Sequence, residues 1–99
     1  MSQQVEEYHP SKKEDIGTHI VPGKYTIRRV YLGNVEKYGE VVNIESDEGK
    51  FYTFSKVLRE QLTKMMAEYE QVQGETFNGF LQQPIRIEVK QVKNYLTLV

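Results

Sequence analysis

The chain has 99 residues and a mass of 11.6 kDa, the size of one domain with one core. With 13 Lys and Arg against 14 Asp and Glu, the formal charge is −1, so overall charge marks neither a nucleic-acid nor a membrane partner. The lack of Cys excludes a disulfide framework, a thiolate metal site and a cysteine nucleophile.

Residues 1–20 carry Glu6, Glu7, Lys12, Lys13, Glu14 and Asp15, with apolar residues too scattered for any period. They read as an extended or mobile N-terminal arm, and residues 21–99 as the folded domain. Val21-Pro22-Gly23 punctuates the boundary. A long strand is expected over 24–35. Its aliphatic residues break alternation between Ile27 and the pair Val30 and Leu32. A bulge at Arg28-Arg29 would bring all three to one face and bend the strand.

After a turn at Lys37-Tyr38-Gly39, a second strand is expected over about 40–46, with Val42 and Ile44 on one face. Ser46-Asp47-Glu48-Gly49 reads as a hairpin turn, which makes catalytic use of the adjacent acids the weaker reading. The third strand, 50–54, holds Phe51, Tyr52 and Phe54. Phe51 and Phe54 are expected in the core and Tyr52 in solvent, although strict alternation cannot place both phenylalanines on one face.

Ser55 can cap a helix in which Leu58, Leu62, Met65, Met66, Tyr69 and Val72 form an amphipathic stripe, ending at Gly74. Ile85, Ile87 and Val89 alternate with Arg86, Glu88 and Lys90, a half-buried strand. A turn at Gln91–Asn94 and a last strand from Tyr95 complete a hairpin. The predicted class is mainly β with one helix, in the order β-β-β-α-β-β.

That order resembles the OB-fold, a five-stranded Greek-key barrel, over residues 22–99. The long bent first strand, the tight second turn, the helix placed to plug the barrel and the final hairpin carry the likeness. Stretches such as Lys24–Gly33 and Ile85–Leu98 are similar to the compact single-stranded-DNA-binding OB-folds of phages and mobile elements. The chain departs from bacterial single-strand-binding proteins in having no Trp, which leaves stacking to Tyr and Phe. The resemblance implies binding of single-stranded DNA with little sequence preference, in phage or plasmid replication or recombination.

Such binding needs cations for phosphates and flat rings for bases. The candidates are Arg28, Arg29, Tyr31, Lys37, Tyr38, Lys50, Tyr52, Arg86, Lys90, Lys93 and Tyr95. By the resemblance, the groove is the outer face of the second and third strands, flanked by the turns around Lys37-Tyr38 and Lys90–Lys93. DNA is favoured over RNA as the partner, and no residue is evident that would read a 2′-hydroxyl. The plainer alternative for each ring is cross-strand or core packing, and for each cation a solvated surface.

No enzymatic activity and no cofactor are expected. His9 and His19 lie ten residues apart without a third ligand at metal spacing, and no phosphate loop or nucleophile elbow occurs. The absence of a long apolar run and of a signal-like start points to a cytoplasmic protein of a bacterium or phage-infected cell. A competing reading is a protein-interaction module or a phage-encoded inhibitor of a host protein, motivated by the acidic arm, the apolar last strand and Phe77 and Phe80. A third is a homo-oligomer linked through the arm.

Overall fold

The computed structural model describes residues 17–99. Its elements are β1 (Thr18–His19), β2 (Gly23–Val35), β3 (Gly39–Ser46), β4 (Gly49–Thr53), α1 (Lys56–Gln73), β5 (Phe80–Val92) and β6 (Tyr95–Leu98). The strands form one sheet in the order β1-β4-β3-β2-β5-β6, curled strongly into a half-barrel. The mainly β class with one helix is therefore correct. The sheet has six strands, however, where five were expected. The additional one is the short β1, which pairs in parallel with β4. The following Ile20 is buried in the core, so part of the segment read as an arm belongs to the sheet. The rest of that segment, 1–16, lies outside the described residues, and with it His9 and most of the proposed oligomer link.

The bend begins at the expected bulge. Pairing moves from Ile27↔Ser46 to Arg29↔Glu45, so β2 spends an extra residue, Arg28, against β3. This resets the alternation, and Ile27 and Val30 both reach the core. The same step appears against β5, where Ile27 faces Ile85 and Arg29 faces Phe80. The surplus residues of β5 there include Pro84, which has no N–H to give a ladder. The free N–H of neighbouring Gln83 donates instead to the Tyr69 hydroxyl of α1 at 2.9 Å.

The hairpin between β3 and β4 closes onto this bend. Asp47 N–H donates to the Thr26 carbonyl, and Thr26 N–H donates to the Glu48 carboxylate at 2.8 Å. Asp47 takes two hydrogen bonds from Arg28, at 2.7 and 3.0 Å. The two acids thus serve the turn and the bend, as the hairpin reading supposed.

Ile27, Val42, Ile44, Leu58, Leu62 and Val89 are the fully buried centre of the core, each contributing about 1.5–3 kcal/mol of transfer free energy. Ser55 caps α1 by accepting the Leu58 N–H at 3.2 Å, and Gly74 ends it with φ 92°. Burial fades along the helix, from Leu58 and Leu62 through partly buried Met65 and Met66 to Val72, which is 79% exposed. The N-terminal turns plug the half-barrel while the last turn runs past it. At the open side Gln61 of α1 accepts the Leu98 N–H at 2.9 Å and donates to the Thr97 hydroxyl, so a helix side chain satisfies part of the β6 edge.

Two side chains lie on the other face or in the other environment from that expected. Leu32 is 56% exposed, because β5 flanks β2 only as far as Arg29. Phe54 follows the alternation without a slip, so Phe51 packs on the core and Phe54 lies beside Tyr52 on the outside.

Candidate functional site

The outer face of β1, β4, β3 and β2 is built in rows by the strand register. One row runs Tyr31–Asn43–Tyr52–His19, because Tyr31 pairs with Asn43, Asn43 with Tyr52, and Tyr52 with His19. The adjoining row runs Phe80–Arg29–Glu45–Lys50. Toward the far end of β2, Gly33 faces Val41, and the 36–38 turn beyond it carries Lys37 and Tyr38.

A groove of about 950 Å³ crosses this face. Its floor is Gly33, Val41 and Asn43, and its walls include His19, Tyr52, Phe54 and Tyr38. The depression follows from the sequence: Gly33 offers no side chain beside Val41 and Asn43 of β3, and the rings stand up around it. They also touch one another. His19 lies 4.4 Å from Tyr52, Tyr52 5.8 Å from Phe54 and Phe54 5.6 Å from Tyr38, all between ring centroids. Tyr38 is 70% exposed, so its ring face is available to a flat ligand.

Arg29 braces the next ring. Its guanidinium lies 3.9 Å from the Tyr31 centroid and 4.3 Å from that of Phe80. It also donates to Glu45 at 3.1 Å and to the Asn78 carbonyl at 2.8 Å. The Phe77–Phe80 turn is fixed beside it, with Val30 N–H donating to the Gly79 carbonyl. Arg29 is therefore a spacer between Tyr31 and Phe80, its charge offset by Glu45. Arg28 is likewise engaged: its hydrogen bonds to Asp47 lower the Asp47 carboxyl below the usual carboxylate range and raise the guanidinium pKa.

Among the sequence candidates, the register brings together Tyr31, Tyr38 and Tyr52, with Lys50 in the adjoining row and Lys37 in the turn at one end. It does not bring the others to this groove. Lys90, Lys93 and Tyr95 belong to the β5–β6 hairpin, which extends past the Gly23 end of β2, since Gly23 pairs with Val89. The Lys37 turn lies at the opposite, Val35 end. Arg86 pairs with Thr26 and lines a separate depression with Lys24, Glu48 and Glu88. Tyr25 is buried and its hydroxyl donates to the Val21 carbonyl at 2.6 Å.

Sequence reasoning did not single out His19, Asn43 or Phe54 as site residues. A signal for Asn43 existed: it is the polar residue between Val42 and Ile44 on the face away from the core. Gly33 inside a strand was a second signal, of close approach or open space.

Among the described residues no group of three or more His, Cys, Asp or Glu could hold a metal ion, and no helix is long and apolar enough to cross a membrane. No family model, no curated protein and no solved structure matches the chain.

Proposed function

We propose that this chain binds single-stranded nucleic acid, DNA ahead of RNA, along the outer face of β4, β3 and β2, with little sequence preference. The observation that carries the reading is the groove itself: rings of Tyr52, Phe54, Tyr38 and His19 gathered around a floor of small and polar residues. Every base has a π-face, so such rings accept any sequence, at about 1–3 kcal/mol per stacked base. The half-barrel with its single plugging helix is read as an OB-fold, whose outer face over the corresponding strands is the surface that takes oligonucleotides.

Charge plays the smaller part. Lys37 stands in the turn at one end of this face, while Arg29 and Arg28 already hold carboxylates. For single strands the salt slope is about −0.7 per neutralised phosphate, so contact through Lys37 gives a shallow slope of about −0.7 per bound copy. Fluorescence titration with oligo-dT at low and high salt tests both statements. Binding with a shallow slope, weakened about 5- to 150-fold by Tyr52→Ala, is the expected result. No binding at tens of micromolar protein in low salt refutes it.

One feature favours a second reading, a protein-interaction surface. Phe77 is 78% exposed and Val72 79%, both at the end where α1 runs past the sheet. A stoichiometric protein partner recovered in a pull-down, insensitive to nuclease and lost in Phe77→Ser, would favour it.

A further inference from the structure

Asn43 lies at the centre of the groove floor, between Tyr31 on β2 and Tyr52 on β4. Its side chain is half-buried, and its amide makes no hydrogen bond with any described residue. Gly33 keeps it open from one side: a Cβ at that position would stand 3.2 Å from Asn43 Nδ2. With no protein partner, its donor and acceptor both remain available to a ligand in the groove. The rings of Tyr52, Phe54 and Tyr38 frame the space in front of it.

Resting on the reading of this face as a nucleic-acid site, we propose that Asn43 recognises the Watson–Crick edge of an unpaired base, whichever base it is. A carboxamide presents one acceptor next to one donor. Every base presents the complement on its Watson–Crick edge. Adenine offers the N6 amino group beside N1, cytosine the N4 amino group beside N3, guanine N1–H beside O6, and thymine N3–H beside O4. Turning the amide by 180° about its last torsion switches between the two orders, so one residue serves all four. In a duplex that edge is occupied by the partner strand. Asn43 thereby adds hydrogen bonding without sequence preference and adds to the preference for single strands over duplex.

The test compares wild type and Asn43→Ala on oligo-dT and on the same oligonucleotide built entirely from N3-methylthymine, which has lost the N3–H donor. Wild type should bind the methylated strand about 2- to 10-fold more weakly, the effect of one hydrogen bond. Asn43→Ala should bind both strands alike, near the weakened level. If wild type binds the two strands equally, or if Asn43→Ala still distinguishes them, the inference is overturned while the binding function stands. If wild type binds neither, the function and the inference fall together. Should Asn43→Ala fail to fold, Asn43→Val, a better strand former, takes its place, and equal binding of the two strands by wild type overturns the inference without either variant.

Discussion

Replacing Arg29 separates a structural brace from a phosphate ligand. The guanidinium is sandwiched between Tyr31 and Phe80, donates to the Asn78 carbonyl and pairs with Glu45 across β3. Its side chain is 21% exposed and that of Glu45 25%, so water screens the pair only in part. Two cation–π contacts at about 0.5–1 kcal/mol each, a charged hydrogen bond near 1.5 kcal/mol and an ion pair below about 1 kcal/mol overlap rather than add. A loss of about 2–3 kcal/mol is expected for Arg29→Ala. Arg29→Lys keeps the charge but not the plane or the fork, and should recover less than half of that loss. Urea denaturation of the three proteins measures this. The same variants also report on binding. A brace lowers affinity through a loosened Tyr31 and leaves the salt slope unchanged, whereas a phosphate ligand would reduce the slope by about 0.7. A wild-type denaturation midpoint in Arg29→Ala, together with a shallower slope, would refute the brace.

Gly79 has φ +81°, and a Cβ there would overlap the Val30 carbonyl oxygen. Gly79→Ala should therefore cost at least about 2 kcal/mol and free the Phe77–Phe80 turn; unchanged stability in denaturant would contradict this docking. Asp47 is held below its ordinary carboxylate range chiefly by the Arg28 hydrogen bond. Its contribution is thus present above the unfolded value, near 3.9, and lost as pH falls through the lower folded value. Thermal melts from pH 6 to pH 2 should show a shallower acid decline in Asp47→Asn than in wild type, and identical declines would rule out the pair as a source of acid sensitivity.

Local signals foretold the elements that local physics fixes. The Ser55 cap, the Gly74 stop, the 46–49 turn and the Arg28-Arg29 bulge each rest on residues near one another in sequence, and each stands where expected. β1 gave no such signal, because Thr18–His19 is too short to alternate and is held by the edge of β4. The start of β5 is hidden by Pro84, which reads as a strand breaker until its place among the surplus residues of the β5 bulge is known.

The candidate site was legible as a list of residue types more than as a place. Tyr31, Tyr38 and Tyr52 meet on one face, but Lys90 and Lys93 lie beyond the other end of β2, since register and not composition sets which turn joins which end. Arg28 and Arg29 were visible as cations. Their carboxylate partners, Asp47 and Glu45, become neighbours only through the β2–β3 pairing and the hairpin that closes on it. The apolarity of Phe54 points to the core, and the period of the strand overrides that preference.

Backbone amide and side-chain chemical shifts during titration with oligo-dT locate the bound strand directly. Perturbations centred on Tyr31, Asn43, Tyr52, Phe54 and Tyr38, with the β5–β6 hairpin silent, are the expected map. Shifts confined to the Lys90–Tyr95 hairpin or to Phe77 and Val72, or none at saturating strand, would contradict a nucleic-acid groove on this face.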